Sequence, residues 1–302
     1  MIIKTSGRGL RKLNKCHERR KMNELLGKFL MQNNVSKTYE SHMQCCVKQM
    51  EQFGITKTNI SNDRVTKFLA SLQGQYSKQT IITKRAIALR LWRWGMENDV
   101  AIKSVLIQVV TIRSRRKLVR AYRSEDLIAC WENLQQQSEE KFGRFRKTKA
   151  SRLLWLKCWF QVAYSTGLRF SDVYHLTEHD ITPAGINIVM SKTGQEITRQ
   201  ISEQTRGLID SMLAVSEDGS IFSCHVGKCR ACTTVNELLA QVGLKHGGSQ
   251  WLRRSSATHV EQNHPGKGSR FLGHLTPGLA AKHYFDHSQL QQDVPMPPSI
   301  GR

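Results

Sequence analysis

The stretch FLGHLTPGLAAKHYFDH, from Phe271 to His287, carries a single tyrosine, Tyr284, among alanine, lysine, histidine and aspartate. A phenol oxygen can act as a nucleophile that stores the energy of a cleaved phosphodiester in a covalent phosphotyrosine, so that the bond is resealed later. It can equally pack its ring and leave the hydroxyl at the surface, the commoner fate of a tyrosine. Upstream lie residue types that suit the first use. Arg169 in STGLRFSDVYHL and Arg253 in SQWLRRSSATHVEQ offer planar guanidinium forks, which grip the non-bridging oxygens of a phosphate two at a time. Lys192 in GINIVMSKTGQEITRQIS and His274, ten residues before Tyr284, can carry or orient a proton. Taken singly, each has a bland use: Arg169 as a surface cation near Asp172, Lys192 as an ordinary turn residue.

The elements that must position these residues are legible from spacing. Ile186, Ile188 and Met190 alternate, as do Ile197, Arg199 and Ile201, around a polar turn containing Gly194; this predicts a β-hairpin with Lys192 at its tip. LLWLKCWFQVAY (Leu153–Tyr164) is the most apolar stretch, but Lys157 interrupts it and it falls short of the roughly 18 to 20 residues of a spanning helix. It is expected to be a core helix, and no membrane partner is expected. SQWLRRSSATHVEQ and LTPGLAAKHYF read as separate helices, and the tail VPMPPSIGR is too rich in proline to continue one.

Towards the N-terminus the pattern is wholly helical. SKTYESHMQCCVKQMEQF, SNDRVTKFLASLQ (with cap candidates Ser61, Asn62 and Asp63) and SKQTIITKRAIALRLWRWGMEND behind Ser77 form three segments. In the third, Ile81, Ala88, Leu91, Trp92 and Gly95 share one stripe, while Lys84, Arg85, Arg90 and Arg93 fall on the other faces. A basic run, RSRRKLVRAYR (Arg113–Arg123), precedes a further helix start at SEDLIACWENL, where Ser124 is the cap candidate.

Charge names the partner class. The 302 residues hold 46 Lys and Arg against 24 Asp and Glu, a net charge of +22 and a pI near 10.0. Residues 1–120 hold 25 basic and 7 acidic residues, so most of the surplus lies there. This is the electrostatic footprint of a nucleic-acid-binding protein. Eight cysteines without the regular spacing of a disulfide framework, and the absence of a signal-peptide pattern, predict a reducing, cytoplasmic setting.

The ordered set TGLRFSD, SKTG on a hairpin, WLRRSSATH, LGH and a tyrosine ten residues after that histidine resembles the catalytic domain of the tyrosine recombinases, the phage-integrase family, over about residues 120–287. The combination is far more specific than any one motif. The resemblance implies Arg169 and Arg253 as the two catalytic arginines, Lys192 as the hairpin lysine and general acid, His274 as the histidine before the nucleophile and Tyr284 as the nucleophile. Asp172 is expected to orient Arg169 from one helical turn away. Gln250 is a departure: the family usually has histidine or lysine three residues before the second arginine. Glutamine hydrogen-bonds a phosphate oxygen but cannot shuttle a proton near neutral pH, so activation of Tyr284 falls to His274, to the arginine field or to a displaced neighbour such as His246.

The expectation is therefore an α+β, mostly helical, two-domain DNA clamp. Residues 1–35 form a basic arm that orders on DNA, residues 36–118 a helical core-binding domain, and residues 119–302 a mainly α catalytic domain bearing the hairpin, with a C-terminal tail. The implied activity is site-specific cutting and rejoining of double-stranded DNA through a 3′-phosphotyrosine, with no cofactor and no catalytic metal. The implied assembly is a homotetramer on DNA, with accessory DNA-bending factors compatible with it. A type IB-like topoisomerase and a catalytically silent DNA-binding protein are the alternatives. In CHVGKCRAC (Cys224–Cys232), Cys229 and Cys232 have C-x-x-C spacing, and Cys224 or His225 would have to complete a zinc site; the other reading is a cysteine-rich loop leading into TVNELLAQVGL.

Overall fold

The computed structural model describes residues 22–101, 111–112, 118–244, 247–274 and 276–290, and the chain divides into two compact units, Met1–Arg116 and Lys117–Arg302. Each has a hydrophobic core of its own.

The first unit is all helical: α1 (22–32), α2 (Lys37–Gln52), α3 (Asn62–Ser71) and α4 (Lys78–Glu97). Serine opens three of them, the hydroxyls of Ser36, Ser61 and Ser77 accepting the free amides of Tyr39, Arg64 and Thr80. The stripe on α4 is buried as its spacing predicts, with Ile81, Ala88, Leu91, Trp92 and Gly95 in the core. Two expectations change. Met22, Leu25, Leu26 and Phe29 on α1 pack into the same core as Met43, Phe68 and Trp92, so the basic arm cannot extend to residue 35; its apolar residues follow the i, i+3, i+4, i+7 pattern of a packed helix. Residues 1–21 lie outside the described residues. Lys84 is buried rather than displayed: its ammonium lies 3.7 Å from Cys45 Sγ and 5.2 Å from the centre of the Tyr76 ring.

The second unit is built round α7 (Arg152–Thr166), capped by Ser151 and buried on nearly every face, with Trp155 and Trp159 stacked 5.1 Å apart. Around it lie α5 (Ser124–Gln136), α6 (Glu139–Phe142), α8 (Phe170–Tyr174), a 3-10 turn at Glu178–Asp180, α9 (Glu203–Leu213) and α10 (Lys228–Gln241). Then come α11 (Gly248–Asn263), α12 (Gly268–Phe271), α13 (Pro277–His283) and α14 (His287–Leu290). Ser124 is the first residue of α5 and not its cap; Asp126 accepts the Arg123 amide at 3.3 Å instead. Among the described residues no helix is long and apolar enough to cross a membrane.

The hairpin is present, with one strand more than its alternation reveals. β1 (Ile181–Thr182), β2 (Gly185–Val189) and β3 (Glu196–Arg199) form an antiparallel sheet in that order, with Ile188 opposite Ile197. Ile186, Ile188, Met190 and Ile197 are buried against the core, which fixes the register and leaves the 191–194 turn exposed.

Candidate active site

The site grows from three chain reversals around α7 and α11. α7 ends at Gly167, which has φ +60°, and a Cβ there would lie 2.5 Å from Phe271 Cε1. Only glycine lets the chain turn so close to α12, and the turn delivers Arg169 to the start of α8. The second reversal follows α12, where Gly273 has φ +65° and a Cβ would lie 2.5 Å from Met190 Cε. Hairpin and LGH turn are thereby packed backbone to side chain. The third follows α13, which ends at His283 and leaves Tyr284 beyond the helix.

Arg253 is the hub. It projects from α11 and is 1% exposed. Nη1 donates to the Gly167 carbonyl, while Nη2 donates to the Leu272 carbonyl at 3.3 Å and meets His274 Nε2 at 3.4 Å. Its guanidinium carbon stands 5.0 Å from the centre of the Tyr284 ring, and the His274 and Tyr284 rings lie 4.9 Å apart, edge to face. An arginine only donates, so Nε2 of His274 is the acceptor and the proton sits on Nδ1. That Nδ1 is buried without a partner, as is Nε of Arg253. Burial draws the Arg253 guanidinium down to about 10, opposed by the Tyr284 oxygen, so it stays charged at neutral pH.

Arg169 Nη1 lies 3.4 Å from Met190 Sδ and 3.8 Å from Asp172 Oδ2. Asp172, buried, accepts the amide and hydroxyl of Ser191 through Oδ1, so one carboxylate joins the Arg169 turn to the lysine hairpin. Lys192 follows on the exposed turn. Burial, then the charges of Arg253, Arg169, Lys192 and His283, pulls His274 down to about 4, and the imidazole is neutral.

Thus Arg253, His274 and Tyr284 are in mutual contact, with Arg169 and Lys192 within electrostatic reach of His274. Gln250 stands apart. It is exposed, three residues before Arg253 on α11, and among the described residues no hydrogen bond joins it to the other five. His246 lies outside the described residues. Spacing did not disclose Ser191, Met190 or Arg199. Arg199 on β3 donates to the carbonyls of Arg270 (3.2 Å) and Phe271 and lies 5.5 Å over the Phe271 ring, tying the hairpin to the end of α12. The signal for Ser191 was the serine beside the hairpin lysine, a short donor next to a buried carboxylate.

The cysteine stretch differs from a loop. α10 begins at Lys228, so Cys229 and Cys232 are exposed on its first turns, whereas Cys224 is buried with Sγ donating to the Ser220 carbonyl. His225 Nδ1 pairs with Thr148 Oγ1 at 2.7 Å. Among the described residues no group of three or more His, Cys, Asp or Glu is placed to hold a metal ion.

The model of the phage integrase family matches residues 132–289, just over half of the chain. No curated protein matches the sequence. Among solved structures, a lambda integrase dimer bound to a COC′ core site is similar over 97% of this chain and 85% of its own, at 14% identity and a TM-score of 0.71. A lambda integrase tetramer bound to a Holliday junction is similar over 93% and 80%, at 13% identity and 0.70. XerH site-specific recombinase bound to difH substrate is similar over 95% and 88%, at 16% identity and 0.65. The structural likeness carries the mostly helical fold with its small antiparallel sheet, and the family model carries the membership: the chain belongs to the phage integrase family, the tyrosine recombinases.

Proposed function

We propose that the protein is a site-specific DNA strand transferase that cuts and rejoins duplex DNA through a 3′-phosphotyrosine on Tyr284. The observation that carries this reading is the contact of Arg253, His274 and Tyr284, with two buried donors, Arg253 Nε and His274 Nδ1, left without acceptors. Unpaired buried donors are costly, and a phosphate at this site supplies oxygens to pair with them.

In the proposed reaction the Tyr284 oxygen attacks phosphorus and the bond to the 5′-oxygen breaks, leaving a phosphotyrosine on the 3′ end. Lys192 gives the leaving 5′-oxygen its proton, and the reverse step reseals the strand. Arg169 and Arg253 stabilise the charge that develops on the non-bridging oxygens, as donors set in place before that charge appears. His274, neutral, donates from Nδ1 to a phosphate oxygen. Gln250 cannot shuttle a proton, so in this reading the phenol proton passes to solvent, its loss favoured by the arginine field.

Residues 119–302 are the catalytic domain in this reading, and the basic helical unit before it grips the duplex, with Arg90 and Arg93 exposed on α4. Neighbours bound to DNA as a dimer and as a tetramer on a Holliday junction support a duplex-DNA partner and a homotetrameric synapse. The nucleoid is the proposed location. The test is strand exchange: two distinguishable duplexes, each carrying the DNA that flanks the gene, are incubated with the protein and the junctions sequenced. Reciprocal junctions at one position support the recombinase. Relaxed supercoils without exchanged junctions indicate a topoisomerase, and binding without a covalent adduct a silent DNA-binding protein.

A further inference from the structure

Asp286 is an unusual residue to find two positions after Tyr284. It is 3% exposed, and the groups in hydrogen-bond contact with its carboxylate are all neutral. Oδ2 accepts the Ala121 amide at 3.0 Å and Gln289 Nε2 at 3.4 Å, and Oδ1 accepts the Ser288 hydroxyl at 2.6 Å and its amide at 3.2 Å. Gln289 Nε2 also donates to the Ala121 carbonyl at 3.0 Å. Arg120, which donates to the Ser288 hydroxyl at 3.4 Å, favours the charged form of Asp286 from beyond hydrogen-bond contact, and a buried carboxylate with no ion pair in contact depends on its hydrogen bonds, which in turn fix the backbone that makes them. What these bonds fix is the turn that carries Tyr284, which they fasten to the chain entering α5.

A second anchor acts from the other side. Thr258, on the same helix as Arg253, accepts the Asp286 amide at 3.0 Å and donates to the Tyr284 carbonyl at 3.4 Å. With its backbone held at both points, the Tyr284 ring covers the Arg253 guanidinium, which is left 1% exposed. The two terminal nitrogens are engaged by the carbonyls of Gly167 and Leu272 and by His274. A phosphate that is to reach this guanidinium must therefore displace the ring.

We propose that Asp286 is the positioning residue of Tyr284: by clasping the turn after the tyrosine to Ala121, it holds the phenol ring shut over Arg253 until a phosphate displaces it. The proposal rests on the reading of Tyr284 as nucleophile for its effect on cleavage, but the clasp itself is a property of the DNA-free protein.

The test has two arms. In the first, the full chain without DNA is nitrated with tetranitromethane and each tyrosine is followed by peptide mass spectrometry. Asp286→Ala is expected to raise nitration of Tyr284 about ten-fold, the scale of one lost hydrogen bond to a charged group, while exposed tyrosines elsewhere are unchanged. Asp286→Asn, which keeps an oxygen for the Ala121 amide, is expected to fall between. In the second arm, single-turnover cleavage of a nicked duplex is expected to be faster in Asp286→Ala at unchanged duplex affinity, a gain that the loss of a purely structural contact does not produce. Wild-type nitration of Tyr284 in Asp286→Ala overturns the proposal, and so does cleavage that is unchanged or slower with binding intact. Should Asp286→Ala not fold, Gln289→Ala removes two bonds of the clasp at a half-buried position; a smaller rise in both readouts supports the clasp and no change in nitration overturns it. A wild type that forms no adduct sinks the nucleophile reading and leaves nitration to decide the clasp.

Discussion

Ser191 gives both its hydroxyl, at 2.5 Å, and its amide, at 3.2 Å, to one carboxylate oxygen of Asp172. The other oxygen of Asp172 faces Arg169 at 3.8 Å. The arginine turn and the hairpin that bears Lys192 are thus set by one buried acid.

Replacing Asp172 by alanine frees both at once. Cleavage is expected to fall by about two orders of magnitude, the scale on which displaced catalytic groups lose rate, while duplex affinity is retained. Ser191→Ala, which spares the amide bond, is expected to cost less. Single-turnover cleavage beside a binding isotherm checks this, and a full-rate Asp172→Ala enzyme contradicts it.

The two arginines should differ in how they fail. Arg169→Ala and Arg253→Ala are each expected to slow cleavage by about two to three orders of magnitude, as when a preorganised charge-stabilising donor is removed. Only Arg253→Ala strips donors from two backbone carbonyls, Gly167 and Leu272. That variant should also melt earlier, because each orphaned buried acceptor costs roughly 1–3 kcal/mol. Gln250, exposed and unconnected to the cluster, is expected to tolerate alanine with a smaller loss. Equal melting temperatures for the two arginine variants would speak against the hub.

How much of this was legible beforehand follows from what sequence encodes. Period-two alternation fixed the hairpin and left Lys192 at its exposed turn, since register there is dictated by burying Ile186, Ile188 and Ile197. The serine-capped helices and the α4 stripe were legible for the same local reasons. β1 was not, because two residues carry no period. Lys84 was misjudged because helical spacing does not say that a lysine stem fits between Cys45 and Tyr76. Within the site, the reactive side chains are named by type and order, but the contacts through which Ser191, Met190, Arg199 and Asp286 hold them leave no local pattern. Their contacts span at least nineteen residues of sequence for the Asp172–Ser191 pair and 165 for Ala121–Asp286.

The neutral His274 gives a pH signature. The folded protein holds it down to about 4, whereas the unfolded chain returns it to its ordinary value of 6.5. Between these values the unfolded state binds more protons, so stability rises with pH across the window and is lost as pH falls from 6.5 towards 4. His225 and His259, lowered by burial, act with the same sign. Urea midpoints for His274→Gln are expected to depend less on pH between about 5 and 7 than those of the wild type. Identical slopes contradict the assignment.

Duplex binding should weaken steeply with salt, because each neutralised phosphate releases condensed counterion with a slope of about −0.9 per contact. Removing residues 1–116 leaves a unit with its own core and is expected to flatten that slope. If residues 117–302 bind as tightly and with the same salt dependence as the whole chain, the first unit does not grip DNA.

The measurement that bears most directly on the whole account uses a nicked duplex bearing the protein's own site, placed so that cleavage releases a short 5′-hydroxyl fragment and religation is blocked. Wild-type protein is expected to accumulate a protein–DNA band that survives denaturant, and peptide mapping is expected to put the phosphate on Tyr284. Tyr284→Phe, which removes the oxygen and keeps the ring over Arg253, should bind the duplex and form no band. A covalent band from Tyr284→Phe, or a phosphate mapped to His283 or to another tyrosine, contradicts the account.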